Sequence, residues 1–211
     1  MLLTTPTIAQ RAMINTWFDT YITRAHPLLG RDGAVCPYVT AARHQGVVHV
    51  RSAPVHPASD SLPRDRLLTT TAAARTWLQS VLGSALNEFE HHPWPPRARQ
   101  LHSLVVVLED LAPEHWGELD RAHEEMKTDV MRRGLMAGQF HPNCPAPAAH
   151  NPSFAVNRAP TPLIVIRRMA RHDYLFAEDP QHIRAYERHF RSTDRSSQPS
   201  RPPPTGHPAH P

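Results

Sequence analysis

One proline-rich stretch, residues 141–161, carries the densest group of side chains that could do chemistry: His141, Cys144, His150 and Asn151. It follows a short apolar run, residues 135–140, that is typical of a strand, and loops at strand ends commonly carry functional side chains. Six prolines between residues 142 and 162 restrict the conformations of the stretch, so a bound ligand would cost little additional chain entropy. The pattern predicts a preorganised site.

His141 is the first candidate in this stretch. A neutral imidazole at a strand end, between Phe140 and Pro142, can coordinate a metal ion or a haem iron. The alternative is a structural histidine that is only hydrogen-bonded, because a single histidine among 16 carries no spacing information. The residues leave both roles open.

The two cysteines, Cys36 and Cys144, are each followed by proline. A thiolate is an established axial ligand of haem iron, and the Cys-Pro pair resembles such ligands in haem-sensing proteins. Free cysteine is equally often a small buried apolar residue. The N-terminal residues do not resemble a secretory signal, so we expect a reduced pair rather than a long-range disulfide.

Two other chemistries are compatible with these side chains. Cys36, His141, Cys144 and His150 would supply a Cys₂His₂ zinc set, although the paired short spacing of structural zinc sites is missing. Alternatively, a cysteine would be a nucleophile, with His141 or His150 as the base and Asn151 as the orienting group. The candidate catalytic residues are therefore Cys36, Cys144, His150 and Asn151.

Arginines lie at the end of the proline-rich stretch and on the apolar run that follows it. Arg158 and Arg167 are the cofactor-binding candidates beside His141, because a guanidinium binds carboxylates such as a haem propionate or an amino-acid substrate. Side-chain alternation predicts that Arg167 and Arg168 point to opposite faces of a strand. Solvent-facing arginines are the alternative.

Composition excludes several classes of protein. The 211 residues, 40% apolar and 20% charged, suffice for one domain with a sizeable core. The net charge of +4 comes from scattered basic residues, only one of them lysine, so no basic stripe for nucleic acid is present. No apolar stretch approaches the ~20 residues of a membrane helix. We expect a cytoplasmic protein that binds neither nucleic acid nor membranes.

Hydrophobic periodicity predicts an α+β fold, with a small mixed or antiparallel sheet, several packed helices and long proline-rich loops. Helices are expected over residues 7–24, 64–91, 113–133 and 180–191, and strands over residues 46–51, 103–109, 135–140 and 162–169. Residues 26–38, 52–63 and 141–161 are expected to be irregular, and the pairs His91-His92 and Glu124-Glu125 to be solvated. Residues 1–191 are predicted to form a single domain, and residues 192–211, rich in Pro, Ser, Arg and His, a disordered tail.

Two segments resemble an uncharacterised actinobacterial family with G-x-V-C-P-[FY] and FHP-x-C-P motifs: GRDGAVCPY at residues 30–38, and the run of residues 134–169 that contains FHPNCPAP. That family is distantly similar to the YqcI/YcgG family, which includes haem-dependent N-hydroxylases. The resemblance implies that His141 is an axial ligand of haem b and that Cys36 lies in the same pocket. The order Cys36-Pro37 and the pair Asn143-Cys144 depart from the YqcI/YcgG pattern.

These inferences predict a haem-dependent oxygenase, N-hydroxylase-like, that acts on a small nitrogenous or amino-acid-like substrate in specialised metabolism. One alternative is a non-catalytic protein whose long loop binds a small molecule or a protein partner. Another is a zinc-binding protein. The sequence leaves open whether the chain is an enzyme, whether it forms a homodimer, and what its redox partner is.

Overall fold

A computed structural model describes residues 3–55, 68 and 70–196, and within this part the chain has the predicted α+β fold. The helices are α1 (Ile8–Trp17), α2 (Val39–His44), α3 (Thr71–His91), α4 (Trp116–Arg132) and α5 (Pro180–Ser196). The strands are β1 (Val48–Pro54), β2 (Ser103–Glu109), β3 (Leu135–Phe140), β4 (Pro147–Ala148), β5 (Asn151–Ala155) and β6 (Leu163–Arg168).

Four strands form a mixed sheet in the order β1-β2-β6-β3, and β4 pairs with β5 in a separate small sheet. β1 and β2 are parallel, whereas β6 is antiparallel to both β2 and β3. β3 therefore runs in the same direction as β1. β1 and β3 are the two edges of the sheet, so the start of β1 and the end of β3 lie at diagonally opposite corners.

Helices cover both faces of the sheet. In β2, Leu104, Val106 and Leu108 pack into the core that contains residues of α3 and α4. Val105 and Val107, which alternate with them, pack into the core that contains residues of α1. A strand buried on both faces must be apolar at every position, which is why this run is continuous in the sequence.

The N-terminal helix begins where its capping signal predicts. The Thr7 hydroxyl accepts a hydrogen bond from the Gln10 amide at 3.1 Å, and the Gln10 side chain accepts one from the Thr7 amide at 2.8 Å. This reciprocal capping box satisfies two amides that the first helical turn leaves unpaired. After Trp17 the chain continues as a π-helical turn over Phe18–Ile22, so the predicted helix over residues 7–24 is confirmed for most of its length.

Several predicted bounds need correction. Residues 52–54 belong to β1 and not to a loop, α5 continues to Ser196, and residues 141–161 contain the β4–β5 hairpin instead of being wholly irregular. The predicted loop at residues 56–63, the helix start at residues 64–67 and the part of the predicted tail at residues 197–211 lie outside the described residues. The predicted helix over residues 64–91 corresponds to α3, which begins at Thr71, and the predicted strand over residues 46–51 corresponds to β1, which begins at Val48.

Candidate metal site

The site lies where β3 ends against α4. Leu135 and Ala137 of β3 pack into the core shared with α4. Alternation along the strand directs Gln139 to the same face, together with His141, the first residue after the strand. Asp120 lies on α4, one helical turn after Trp116. Since α4 precedes β3 in the chain and packs against it, the helix brings Asp120 to His141.

Asp120, His141 and Cys144 are in mutual contact. The His141 Nε2 atom is 3.2 Å from each carboxylate oxygen of Asp120. The Cys144 Sγ atom is 3.7 Å from Asp120 Oδ1 and 3.8 Å from the carbonyl oxygen of Gln139. One potential ligand atom from each of the three residues lies within 4.8 Å of the others.

Hydrogen bonds hold the loop that carries Cys144. The His141 carbonyl accepts hydrogen bonds from the Cys144 amide at 3.1 Å and from the Ala159 amide at 3.4 Å. The side-chain amide of Gln139 donates to Asp120 Oδ1 at 3.3 Å, and that of Asn157 donates to the Gln139 carbonyl at 3.1 Å. These hydrogen bonds fix the backbone between Gln139 and Cys144 and tie Gln139 to Asp120.

Burial sets the protonation state of Cys144. Its side chain is 0% exposed, and burial, with a smaller contribution from the Asp120 charge, raises the pKa of the thiol to about 12. The thiol is thus neutral near pH 7 and donates toward Asp120. A catalytic cysteine needs a low pKa and access to substrate, so this environment does not favour the predicted nucleophile.

His141 is 3% exposed, whereas the Asp120 side chain is 24% exposed. The Trp116 ring packs against the imidazole, with ring centroids 5.4 Å apart. The Nδ1 atom of His141 is buried and has no hydrogen-bond partner within the described part of the chain. The site therefore opens to solvent on the Asp120 side and is closed around the imidazole and the thiol.

The other predicted site residues do not join this group. Cys36 is half-buried against the core on the α1 side of the sheet, and both cysteines are free thiols. His150 is exposed between β4 and β5, and the Asn151 side chain donates to the Leu28 carbonyl at 2.8 Å. Neither Cys36 nor His150 lies with His141 and Cys144 in a group of potential ligands among the described residues, so the Cys₂His₂ set is not assembled.

The arginines have different surroundings. Arg158 is exposed, and its positive charge lies close enough to lower the pKa of the Cys144 thiol slightly against the effect of burial. Arg167 pairs with the fully buried Asp173 through two contacts of 2.7 and 2.6 Å. Arg168 lies over the Phe89 ring of α3, so Arg167 and Arg168 point to opposite faces, as predicted. Of these three arginines, Arg158 is the one whose charge acts on the Cys144 thiol.

The β4–β5 hairpin docks onto the segment that ends at Gly30. The His26 and Phe154 rings stack at 4.3 Å, and Gly30 has a φ of +72°. A Cβ atom at Gly30 would lie 2.5 Å from the carbonyl oxygen of His150. The backbone of the hairpin approaches Gly30 so closely that only glycine fits there.

We expect Gly30→Ala to destabilise the protein by about 2–5 kcal/mol, since the left-handed conformation costs about 1–2 kcal/mol and overpacking adds about 1–3 kcal/mol. The matched control is Gly46→Ala, because Gly46 has a φ of +65° and nothing within 4 Å of its would-be Cβ atom. Urea unfolding of both variants separates the two costs. Equal losses would contradict the close approach of the hairpin.

A second group of potential ligands, which sequence reasoning missed, contains His49, Glu88 and His92. His92 was expected to be solvated, and this is wrong: it is half-buried, and its ring stacks on that of His49 at 4.3 Å. The two histidines are far apart in the sequence, so no local spacing marks them.

Asp120 was also missed, because a carboxylate in an amphipathic helix normally faces solvent. The available signal was its position on the buried stripe of α4, directly after Leu119 and four residues after Trp116. That signal is weak, because it does not say which strand the helix packs against.

Comparison with known proteins yields a family and no individual relative. The family described as a domain of unknown function (DUF6875) matches residues 11–201. No curated protein and no solved structure gives a significant match. Separately, no helix in the described part of the chain is long and apolar enough to cross a membrane.

Proposed function

The chain belongs to the DUF6875 family, and we propose that it is a metal-dependent protein in which Asp120, His141 and Cys144 bind one zinc ion. Three protein ligands leave the fourth position of a tetrahedral zinc site open, which is the arrangement of catalytic rather than structural zinc sites. The single observation that carries the proposal is the convergence of a carboxylate, an imidazole and a thiol within 4.8 Å.

The spacing suits a tetrahedral ion. With zinc–ligand bonds of about 2.0–2.3 Å, ligand atoms of such a site lie about 3.3–3.8 Å apart. The contacts of Asp120 Oδ1 with His141 Nε2, at 3.2 Å, and with Cys144 Sγ, at 3.7 Å, are close to these values. Little rearrangement of the loop would be needed for binding.

Electrostatics favour a cation in the same place. A buried thiol beside a carboxylate cannot ionise by itself, which is why the pKa of Cys144 is about 12. A zinc ion supplies the missing positive charge and binds cysteine as the thiolate. The charge of Asp120 would then be neutralised by the ion.

The open side of the site indicates how a substrate would reach it. Asp120 is the partly exposed ligand, and the exposed Arg158 contributes a positive charge near Cys144. Zinc lowers the pKa of a bound water to about 7 and polarises carbonyl groups. We infer hydrolysis of a small, amino-acid-like substrate whose carboxylate would pair with Arg158. Water would add to a carbonyl carbon of the substrate, the bond from that carbon to its leaving group would break, and the leaving group would take up the proton of the water.

Haem fits the surroundings of His141 less well. An axial histidine must present a free nitrogen to a slot that holds a macrocycle. Here the His141 ring is 3% exposed and Trp116 packs against it, so the imidazole is enclosed by protein. The haem-dependent oxygenase and the similarity to the YqcI/YcgG family stay predictions, as does a cytoplasmic location.

The test is Co²⁺ binding to the metal-stripped full chain, because a thiolate ligand produces a thiolate-to-cobalt absorption band in the near ultraviolet. We expect the wild-type chain to show this band and Cys144→Ala to lose it. We expect His141→Ala to weaken binding at least about 100-fold through loss of a ligand and of the contact with Asp120. Zinc should displace cobalt and abolish the band.

The matched controls are Cys36→Ala and His150→Ala, which should bind as the wild-type chain does. Loss of the band in Cys36→Ala would replace the proposed ligand set with the Cys₂His₂ set. No band in the wild-type chain would refute the site. A stoichiometric Soret band in protein from cells fed a haem precursor, absent in His141→Ala, would refute it in favour of haem.

A further inference from the structure

A second set of metal-ligand side chains lies at the opposite corner of the sheet. Val48 and Val50 of β1 pack toward the α1 side, so alternation turns His49 and Arg51 toward α3. Glu88 lies in the last turn of α3, and His92 directly follows that helix. We propose that His49, Glu88 and His92 form a separate site for one late first-row divalent cation, such as Zn²⁺ or Ni²⁺.

The geometry matches two imidazoles and a carboxylate around one ion. The His49 Nε2 atom is 3.4 Å from Glu88 Oε1, and nitrogen and oxygen ligands of tetrahedral zinc lie about 3.3–3.4 Å apart. The His49 and His92 rings stack at 4.3 Å with an interplanar angle of 30°, and one ligand atom from each residue lies within 4.8 Å of the others. Imidazole is a preferred ligand of zinc, copper and nickel.

The side chains are held by their neighbours. The Arg51 Nε atom is 2.5 Å from Glu88 Oε1, the same oxygen that is 3.4 Å from His49 Nε2, so this oxygen faces both side chains. The Trp94 ring packs against His92 at 4.4 Å and stacks on His102 at 4.8 Å, and its Nε1 atom donates to the Phe89 carbonyl at 2.7 Å.

Charge and position define the expected behaviour of this site. The Arg51 guanidinium repels a cation, so we expect weaker binding than at Asp120. An ion here would join the edge strand β1 to the end of α3, which gives it a stabilising role. None of its ligands belongs to the site at Asp120, so the two proposals stand or fall independently.

Co²⁺ binding separates the two sites, since this one has no thiolate. We expect the metal-stripped full chain to bind a cobalt equivalent that adds no near-ultraviolet thiolate band. Glu88→Gln and His92→Ala should each lower the affinity for that cobalt equivalent at least about 10-fold and leave the thiolate band unchanged. Cys144→Ala should lose the band and retain the equivalent.

The matched control is His91→Ala, because His91 neighbours His92 in the sequence, is exposed, and has its ring hydrogen-bonded to the Asn87 carbonyl. It should bind cobalt as the wild-type chain does. Equal losses in His91→Ala and His92→Ala, or unchanged binding in both Glu88→Gln and His92→Ala, would overturn the proposal. Circular dichroism of each variant ensures that lost binding is not lost folding, and Glu88→Gln preserves the size of the side chain.

Discussion

The affinity of the Asp120–His141–Cys144 site for Co²⁺ should rise about tenfold for each pH unit between pH 7 and 9.5. Burial raises the pKa of the Cys144 thiol to about 12, so the metal-free protein holds this proton throughout that range. Metal binding must release it, and the binding constant is then inversely proportional to the proton concentration. The intensity of the thiolate band, titrated in a metal buffer at each pH, measures the affinity of this site alone.

The pH dependence of the affinity distinguishes a buried thiol from an ordinary one in the upper half of that range. An ordinary thiol has a pKa of about 8.5, so its contribution to the pH dependence would disappear above that value. A slope that stays near one proton up to pH 9.5 is expected only for a buried neutral thiol. A slope that flattens at pH 8.5 would mean that Cys144 is in contact with solvent. Cys36→Ala should leave the slope unchanged.

Replacement of Asp173 by alanine should lower the free energy of unfolding by about 3–5 kcal/mol, the usual cost of removing one member of a buried ion pair. Asp173 is 0% exposed and accepts two hydrogen bonds from Arg167, at 2.7 and 2.6 Å, and one from the Ala170 amide at 2.7 Å. Without it, Arg167 retains a charge beside the core. Since the Arg167 side chain is 23% exposed, we expect the lower end of the range.

The matched control is Asp129→Ala, which removes a carboxylate from an exposed pair with Arg132. Exposed pairs contribute little to stability, so we expect no measurable loss. Urea unfolding of both variants is the measurement. Equal stability of the two would show that Arg167 does not need Asp173, and would return Arg167 to the role of a ligand for a cofactor or substrate carboxylate.

Burial favours the neutral form of Arg167, but the hydrogen bonds and charge of Asp173 outweigh it and raise the pKa of the guanidinium. The charge is therefore permanent and already neutralised inside the protein. This internal pairing is why Arg158, and not Arg167, is the arginine that the proposed reaction uses.

Local pattern was sufficient to predict most regular elements. The bounds of β2 and β3 match the expected ones, because each is a short apolar run that begins and ends at polar or turn residues. The cap at Thr7, and the helix over residues 113–133 within which α4 lies, were likewise predicted from a few neighbouring residues. An uncharacterised family was also expected, and the match over residues 11–201 agrees with it.

The β4–β5 hairpin was missed because prolines in a sequence normally argue against a strand. Pro147 and Pro152 lie within these two strands, and proline cannot donate to a strand ladder. In a two-stranded sheet, half of the backbone amides need no partner, so proline is tolerated at those positions. Whether a proline-rich stretch pairs with itself depends on what it docks against, here the segment that ends at Gly30.

From the residues alone, His141 and Cys144 could be recognised as chemically capable neighbours, because three positions in one loop keep them close whatever the fold. Their partner was decided by tertiary structure. Only the packing of α4 on β3 brings Asp120 to them, and only the path of the chain keeps Cys36 and His150 out of the group. Local sequence determines helices, strands and short loops because these depend on nearby residues. A ligand set depends on contacts between distant segments, which the packing of the whole core selects.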